Sequence, residues 1–159
     1  MVSLDAHDRK ILALLQRDAS MAVSDIATRV GLSTTPCWRR IQKLEEAGVI
    51  RRRVALLDRA ALNAGVTVFV AIRTNQHTAQ WLAKFAKAVA DFPEVVDCYR
   101  MSGEIDYLLR LALPDIAAYD AFYKRLIARI DLSDVTSMFA MEEIKSTTEL
   151  PLGFADVKR

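Results

Sequence analysis

The chain has 159 residues, 52% of them hydrophobic and 26% charged, with a formal net charge of +2. That is enough for a real core, in one domain or two small ones, and the composition is that of an ordinary soluble protein. No apolar run is long enough to span a bilayer, the two cysteines make no disulfide framework, and residues 1–8 lack the apolar stretch of a secretory leader, so a cytoplasmic location is expected.

Asp5 and Asp8 suit the start of a first helix, as a cap and as first-turn negative charge. Ile11, Leu12, Leu14 and Leu15 then give a wide apolar stripe that runs to about Asp18. Residues 20–30 read as a shorter helix, with Val23, Ile26, Ala27 and Val30 in register. Gly31 follows, where a helix end favours positive φ. Ser33, Thr34 and Thr35 offer oxygens to free N–H groups, and Pro36 is tolerated in a first turn. From there Cys37, Ile41, Leu44 and Gly48 share one face, and Cys37 reads as a small core residue. Trp38, Arg39, Gln42 and Lys43 fall on the opposite face. Three short helices with a tight glycine turn before the last make a helix-turn-helix, in which the last helix enters the major groove of DNA.

Charge supports this assignment. Residues 1–63 hold eleven Lys and Arg against seven Asp and Glu, whereas the remainder hold eleven against thirteen. Six of the basic residues lie between Ser33 and Arg53, including Arg51, Arg52 and Arg53, with only two acidic ones among them. A charge run of this kind is often just a solvated face. Directly after a recognition-type helix it also fits phosphate contact.

Asp58 to Gly65 reads as a linker with one turn of helix. Strands are then predicted at Val66–Thr74, Glu94–Met101, Ile105–Leu113 and Val135–Lys145, with helices at Thr78–Phe92 and Ile116–Ile130. This β-α-β-β-α-β order is the ferredoxin-like pattern, an antiparallel sheet with both helices on one face. The strands are apolar on both faces, which predicts pairing of the open sheet face with a second copy. The expected fold is α+β, a winged-helix-like helix-turn-helix domain (residues 1–57), a linker (58–65) and a ferredoxin-like domain (66–159).

Four segments in this order resemble the Lrp/AsnC (feast/famine) family of transcription regulators. They are Leu4-Asp5 with Asp8 to Leu12, Gly31 to Ile50, Gly103 with Asp106 to Arg110, and Lys145 to Leu152. The resemblance covers Leu4 to Leu152. It implies an N-terminal domain that reads double-stranded DNA and a C-terminal (RAM) domain that dimerises, assembles dimers into octamers and binds an amino acid effector. Ser33, Thr34, Thr35, Trp38, Arg39, Arg40 and Lys43 fall on the DNA-reading segment. A guanidinium pairs bidentately with guanine, so Arg39 is the expected base contact and Arg40 a phosphate contact. Trp38 fits either packing between helices or contact with DNA. The resemblance places the effector at the loop Met101-Ser102-Gly103-Glu104-Ile105-Asp106-Tyr107. Backbone N–H groups near Gly103 would take a carboxylate, and Asp106 an ammonium. Thr136 and Ser137 are further pocket candidates. As bare sequence, Gly103 is equally a hairpin turn and Asp106 a solvent-facing strand residue. Ile105 stands where the family more often has a polar or aromatic residue. Thr34 to Trp38, Arg100-Met101, Phe122 to Arg125 and Ser133 to Thr136 are similar to the branch that controls cysteine catabolism, which implies a cysteine-type effector.

Two other functions compete. An enzyme is poorly supported: the two histidines lie in different predicted domains without a matching ligand, and five scattered glycines form no phosphate loop. No cofactor or metal is expected. A small-molecule-binding or DNA-architectural assembly protein without amino acid response is the alternative to an effector-responsive regulator.

Overall fold

The computed structural model describes residues 3–156. The chain divides into two compact units. One holds the described residues up to Leu56 together with those from Lys145 onward, and the other is Leu57–Ile144.

The first unit is built on α1 (Ala6–Arg17), α2 (Val23–Val30) and α3 (Thr34–Glu46). Asp5 caps α1, accepting from the N–H groups of His7 and Asp8 at 2.8 and 2.9 Å, and Asp8 accepts in return from the Asp5 N–H. Gly31, at φ 73°, closes α2 in the left-handed conformation that the tight turn into α3 requires. The core is formed by Ile11, Leu12 and Leu15 of α1, Ile26, Ala27 and Val30 of α2, and Cys37, Ile41 and Leu44 of α3. Cys37 is fully buried, as its place on the apolar stripe predicts. Burial of each large aliphatic side chain here is worth about 1.5–3 kcal/mol.

The second unit is a four-stranded antiparallel sheet in the order β2-β3-β1-β4, from β1 (Val66–Arg73), β2 (Val95–Arg100), β3 (Tyr107–Leu113) and β4 (Asp134–Phe139). Helices α4 (Ala79–Ala90) and α5 (Ile116–Arg129) are capped by Thr78 and Asp115. Phe85 and Trp81 of α4 and Phe122 and Leu126 of α5 join Val68, Val70 and Ile72 of β1 and Leu109 and Leu111 of β3 in one core. Along β3 every second residue from Tyr107 to Leu113 is buried, while Leu108, Arg110 and Ala112 lie on the other face. On that face the register aligns Asp97, Arg110, Phe69 and Met138 in one row, and Tyr99, Leu108, Ala71 and Thr136 in the next.

Two expectations change. The last strand stops at Phe139 rather than Lys145. Its partner β1 begins at Val66, and Ala140 already donates to Thr67, so only Val66 is left for a later residue to pair with. Grouping also differs from the expected 58–65 linker and 66–159 domain. Asp58 to Ala64 form hydrogen-bonded turns within the sheet unit, and Arg59 donates to Thr67 of β1 at 2.7 Å. The described residues from Lys145 onward pack instead with the helical unit, to whose core Leu152 and Ala155 contribute. No helix among the described residues is long and apolar enough to cross a membrane.

Candidate nucleic-acid interface and ligand loop

The buried stripe of α3 fixes which side chains face outward. Cys37, Ile41 and Leu44 anchor the helix, so Thr34, Thr35, Arg39 and Lys43 are exposed and Trp38 is half exposed. Ser33 is the N-cap residue, but its side chain makes no capping bond. Its hydroxyl, with those of Thr34 and Thr35, lies beside the free N–H groups of the first turn, an arrangement suited to a phosphate. Among the described residues, Arg39, Lys43, Arg51 and Arg52 form no ion pair, so each guanidinium or ammonium keeps its donors.

Two of the expected DNA contacts are engaged elsewhere. Arg40 Nη1 donates to Asp5 Oδ2 at 2.5 Å and to Asp8 Oδ1 at 2.8 Å, which ties α3 to the start of α1. The Asp8 N–H and the Arg40 guanidinium hold the Asp5 carboxyl down to about 2. Arg40 thus spends Nη1 on holding α3 to α1. Arg53 donates to Glu45 at 2.8 Å, and Gln42 donates to the same carboxylate. Glu45, which the sequence reading passed over, thus orients the basic run that follows α3. Trp38 lies outside the helical core, which leaves the groove-facing alternative the better supported of its two.

The second candidate site lies at one end of the sheet. Ile72 pairs with Tyr107 on one side and with Val135 on the other, so the β2–β3 loop and the start of β4 flank the same end of β1. Met101, Ser102, Gly103 and Glu104 are exposed, and Gly103 has φ 112°, which a side chain would strain. Asp106 is held on three sides: its N–H donates to Ile72 O, its carbonyl accepts from Met101 N–H, and its carboxylate accepts from Thr74 N–H at 2.8 Å. The residue expected to meet an ammonium thus also fixes the loop to β1, through one carboxylate oxygen and its backbone. Tyr107 is likewise core, with ring centroids 4.5 Å from Phe85 and 5.7 Å from Trp81. Thr136 shares the open sheet face with Ala71, whereas Ser137 lies on the helix face and bonds the Tyr119 hydroxyl. The two therefore cannot line one pocket. Thr74, nine-tenths buried and unnoticed in the sequence, anchors the loop through its backbone N–H, while its hydroxyl accepts from Gln76 N–H. Only its place at the end of an apolar strand hints at this.

Two family models match the chain, a winged helix-turn-helix DNA-binding domain over residues 4–51 and the Lrp/AsnC ligand binding domain over residues 67–150. The DNA-binding transcriptional activator DecR of Escherichia coli K12 is 49% identical over 150 residues, which cover 94% of this chain and 99% of that protein. Among solved structures, an AsnC family transcriptional regulator from Agrobacterium tumefaciens is 66% identical, with a TM-score of 0.93 over 95% of this chain and 99% of that one. A transcriptional regulator from Neisseria meningitidis, in complex with L-Met, is 36% identical, with a TM-score of 0.91 over 96% and 99%.

Proposed function

The chain belongs to the Lrp/AsnC family of DNA-binding transcriptional regulators, and we propose from this that α3 reads the major groove while the β2–β3 loop and β4 form part of an amino acid site. The observation that carries the first half is the unpaired basic face of α3. Arg39 supplies base readout. Lys43, Arg51 and Arg52 meet phosphates, and Ser33, Thr34 and Thr35 meet the phosphate at the helix start. Trp38 lies against the sugar edge or a base methyl. Arg40 and Arg53 hold this surface in shape through Asp5, Asp8 and Glu45.

The sheet unit dimerises through its open face, where Val96, Tyr99 and Met138 are exposed beside the Arg110–Asp97 ion pair. A dimer places two α3 helices on half-sites about one helical turn apart or a multiple of it. Dimers assemble further, up to the octamer. The effector is a small amino acid of the cysteine or methionine kind. Exposed backbone at Met101 to Glu104 offers N–H groups to its carboxylate, and Thr136 offers an oxygen to its ammonium. The Neisseria relative's complex with L-Met supports a sulfur-containing ligand. Effector binding acts on DNA only through different affinity for two arrangements of the protein.

Thermal-shift measurements against the twenty amino acids, with light scattering on each hit, test the effector half. A stabilising hit that changes assembly size supports it. No hit, with a constant oligomer, favours a DNA-architectural assembly protein, a reading to which the internal use of the Asp106 carboxylate lends weight.

A further inference from the structure

The helical unit contains a segment that the chain reaches only after completing the sheet. Leu150 pairs with α1 through one glutamine: its N–H donates to Gln16 Oε1 at 2.6 Å and its carbonyl accepts from Gln16 Nε2 at 3.3 Å. The next residue of α1, Arg17, donates to Glu149 at 3.0 Å. Beyond Pro151 the chain turns through a short 3-10 helix, Leu152–Asp156, from which Leu152 and Ala155 pack on the core made by Leu12, Leu15 and their neighbours. Before Pro151, residues 140–150 are exposed and carry no regular structure.

We propose that residues 148–155 are a releasable strap on the DNA-binding unit, whose docking on α1 sets how firmly the recognition helix is held. The path runs by contact from Glu149 and Leu150. Gln16 and Arg17 sit at the C-terminal end of α1. Asp5 and Asp8 at its other end hold Arg40 of α3. A docked strap fixes α1, and α1 fixes the exposed face of α3. The attachment is the kind that opens locally. It consists of one side-chain amide pair, one exposed ion pair and two half-buried apolar residues, so it belongs to the low-stability end of the unit. Release of the strap therefore loosens α1 and, through Asp5 and Asp8, the outer face of α3. The inference does not depend on which ligand, if any, the β2–β3 loop takes.

Amide hydrogen exchange on the full chain tests it, comparing wild type with the Gln16→Leu/Arg17→Ala double variant. Leucine keeps the bulk and helix preference of glutamine, so the helical unit stays folded. In the wild type, residues 148–155 should exchange slower than free peptide. In the variant their protection should fall by about tenfold or more, α1 and α3 should exchange faster with them, and β1 and β3 should be unchanged. Affinity for a labelled random-sequence duplex at low salt should fall several-fold, by roughly three to ten times. Free-peptide exchange of residues 148–155 in the wild type would overturn the proposal. So would unaltered protection of the strap in the variant, or a freed strap that leaves α1, α3 and DNA affinity as they were.

Discussion

The outer face of α3 and the β2–β3 loop both carry polar residues on exposed surface, yet they spend them differently. On α3 and in the run that follows it, Arg39, Lys43, Arg51 and Arg52 pair with no acidic group of the described residues. In the loop, the Asp106 carboxylate, the Tyr107 ring and the Ser137 hydroxyl across the sheet are all engaged by the protein itself. The same contrast separates neighbours within α3, since Arg39 points outward while Arg40 bridges to Asp5 and Asp8. A residue type suited to binding is available for binding only if the fold leaves its donors or acceptors free.

The contrast can be broken in several ways. The largest effect belongs to neither surface: Phe122→Ala empties a fully buried ring site in the sheet core and should cost about 3–5 kcal/mol in urea unfolding. Base readout by α3 should then vanish only as far as assembly is lost. Asp106→Ala leaves the Thr74 N–H without its acceptor and should cost about 1–3 kcal/mol. Its signature is faster exchange of the Thr74 amide, and Asp106→Asn should restore most of the protection. An unprotected Thr74 amide in the wild type would return Asp106 to the role of a free ligand group.

Smaller effects sharpen the α3 side. Arg40→Ala should lower the stability of the helical unit by about 1 kcal/mol or less, because the pair is partly exposed. The Asp5 carboxyl is depressed from a usual 3.8 to about 2. A depressed carboxylate adds stability above its unfolded value, and that stability is lost as pH falls through the folded one. The helical unit should thus weaken between pH of about 4 and 2, and Asp5→Asn should flatten that part of the acid melt. Smallest is Arg52→Ala, which should reduce the slope of log affinity against log salt by about one, uniformly over sequences. An unchanged slope removes Arg52 from the interface.

Much of the fold was legible because local patterns and tertiary packing agree. The spacing of Cys37, Ile41 and Leu44 names the buried side of α3, and Gly31 marks the turn before it. Alternation from Tyr107 to Leu113 gives both faces of β3. Failures come from partners distant in sequence. A helical wheel places Arg40 beside the apolar stripe, but Asp5 and Asp8 lie more than thirty residues earlier. Met141 and Ile144 carry apolar side chains past Phe139, yet the ladder between β4 and β1 ends there. The attachment of Leu150 to Gln16 spans 134 residues and leaves no periodic trace. In the β2–β3 loop, residue types suit ligand binding, while the hydrogen bonds that consume them depend on the end of β1.

Binding-site selection from random duplexes, run in parallel with wild type and Arg39→Ala, tests most directly whether the exposed face of α3 reads bases. The expected result is a defined motif for the wild type and, for the variant, lost preference at one position of each half-site, worth about 1–3 kcal/mol of discrimination. Weak binding to unrelated sequence should change little. The same motif with the same preference at every position would contradict the account and leave Arg39 a solvated charge.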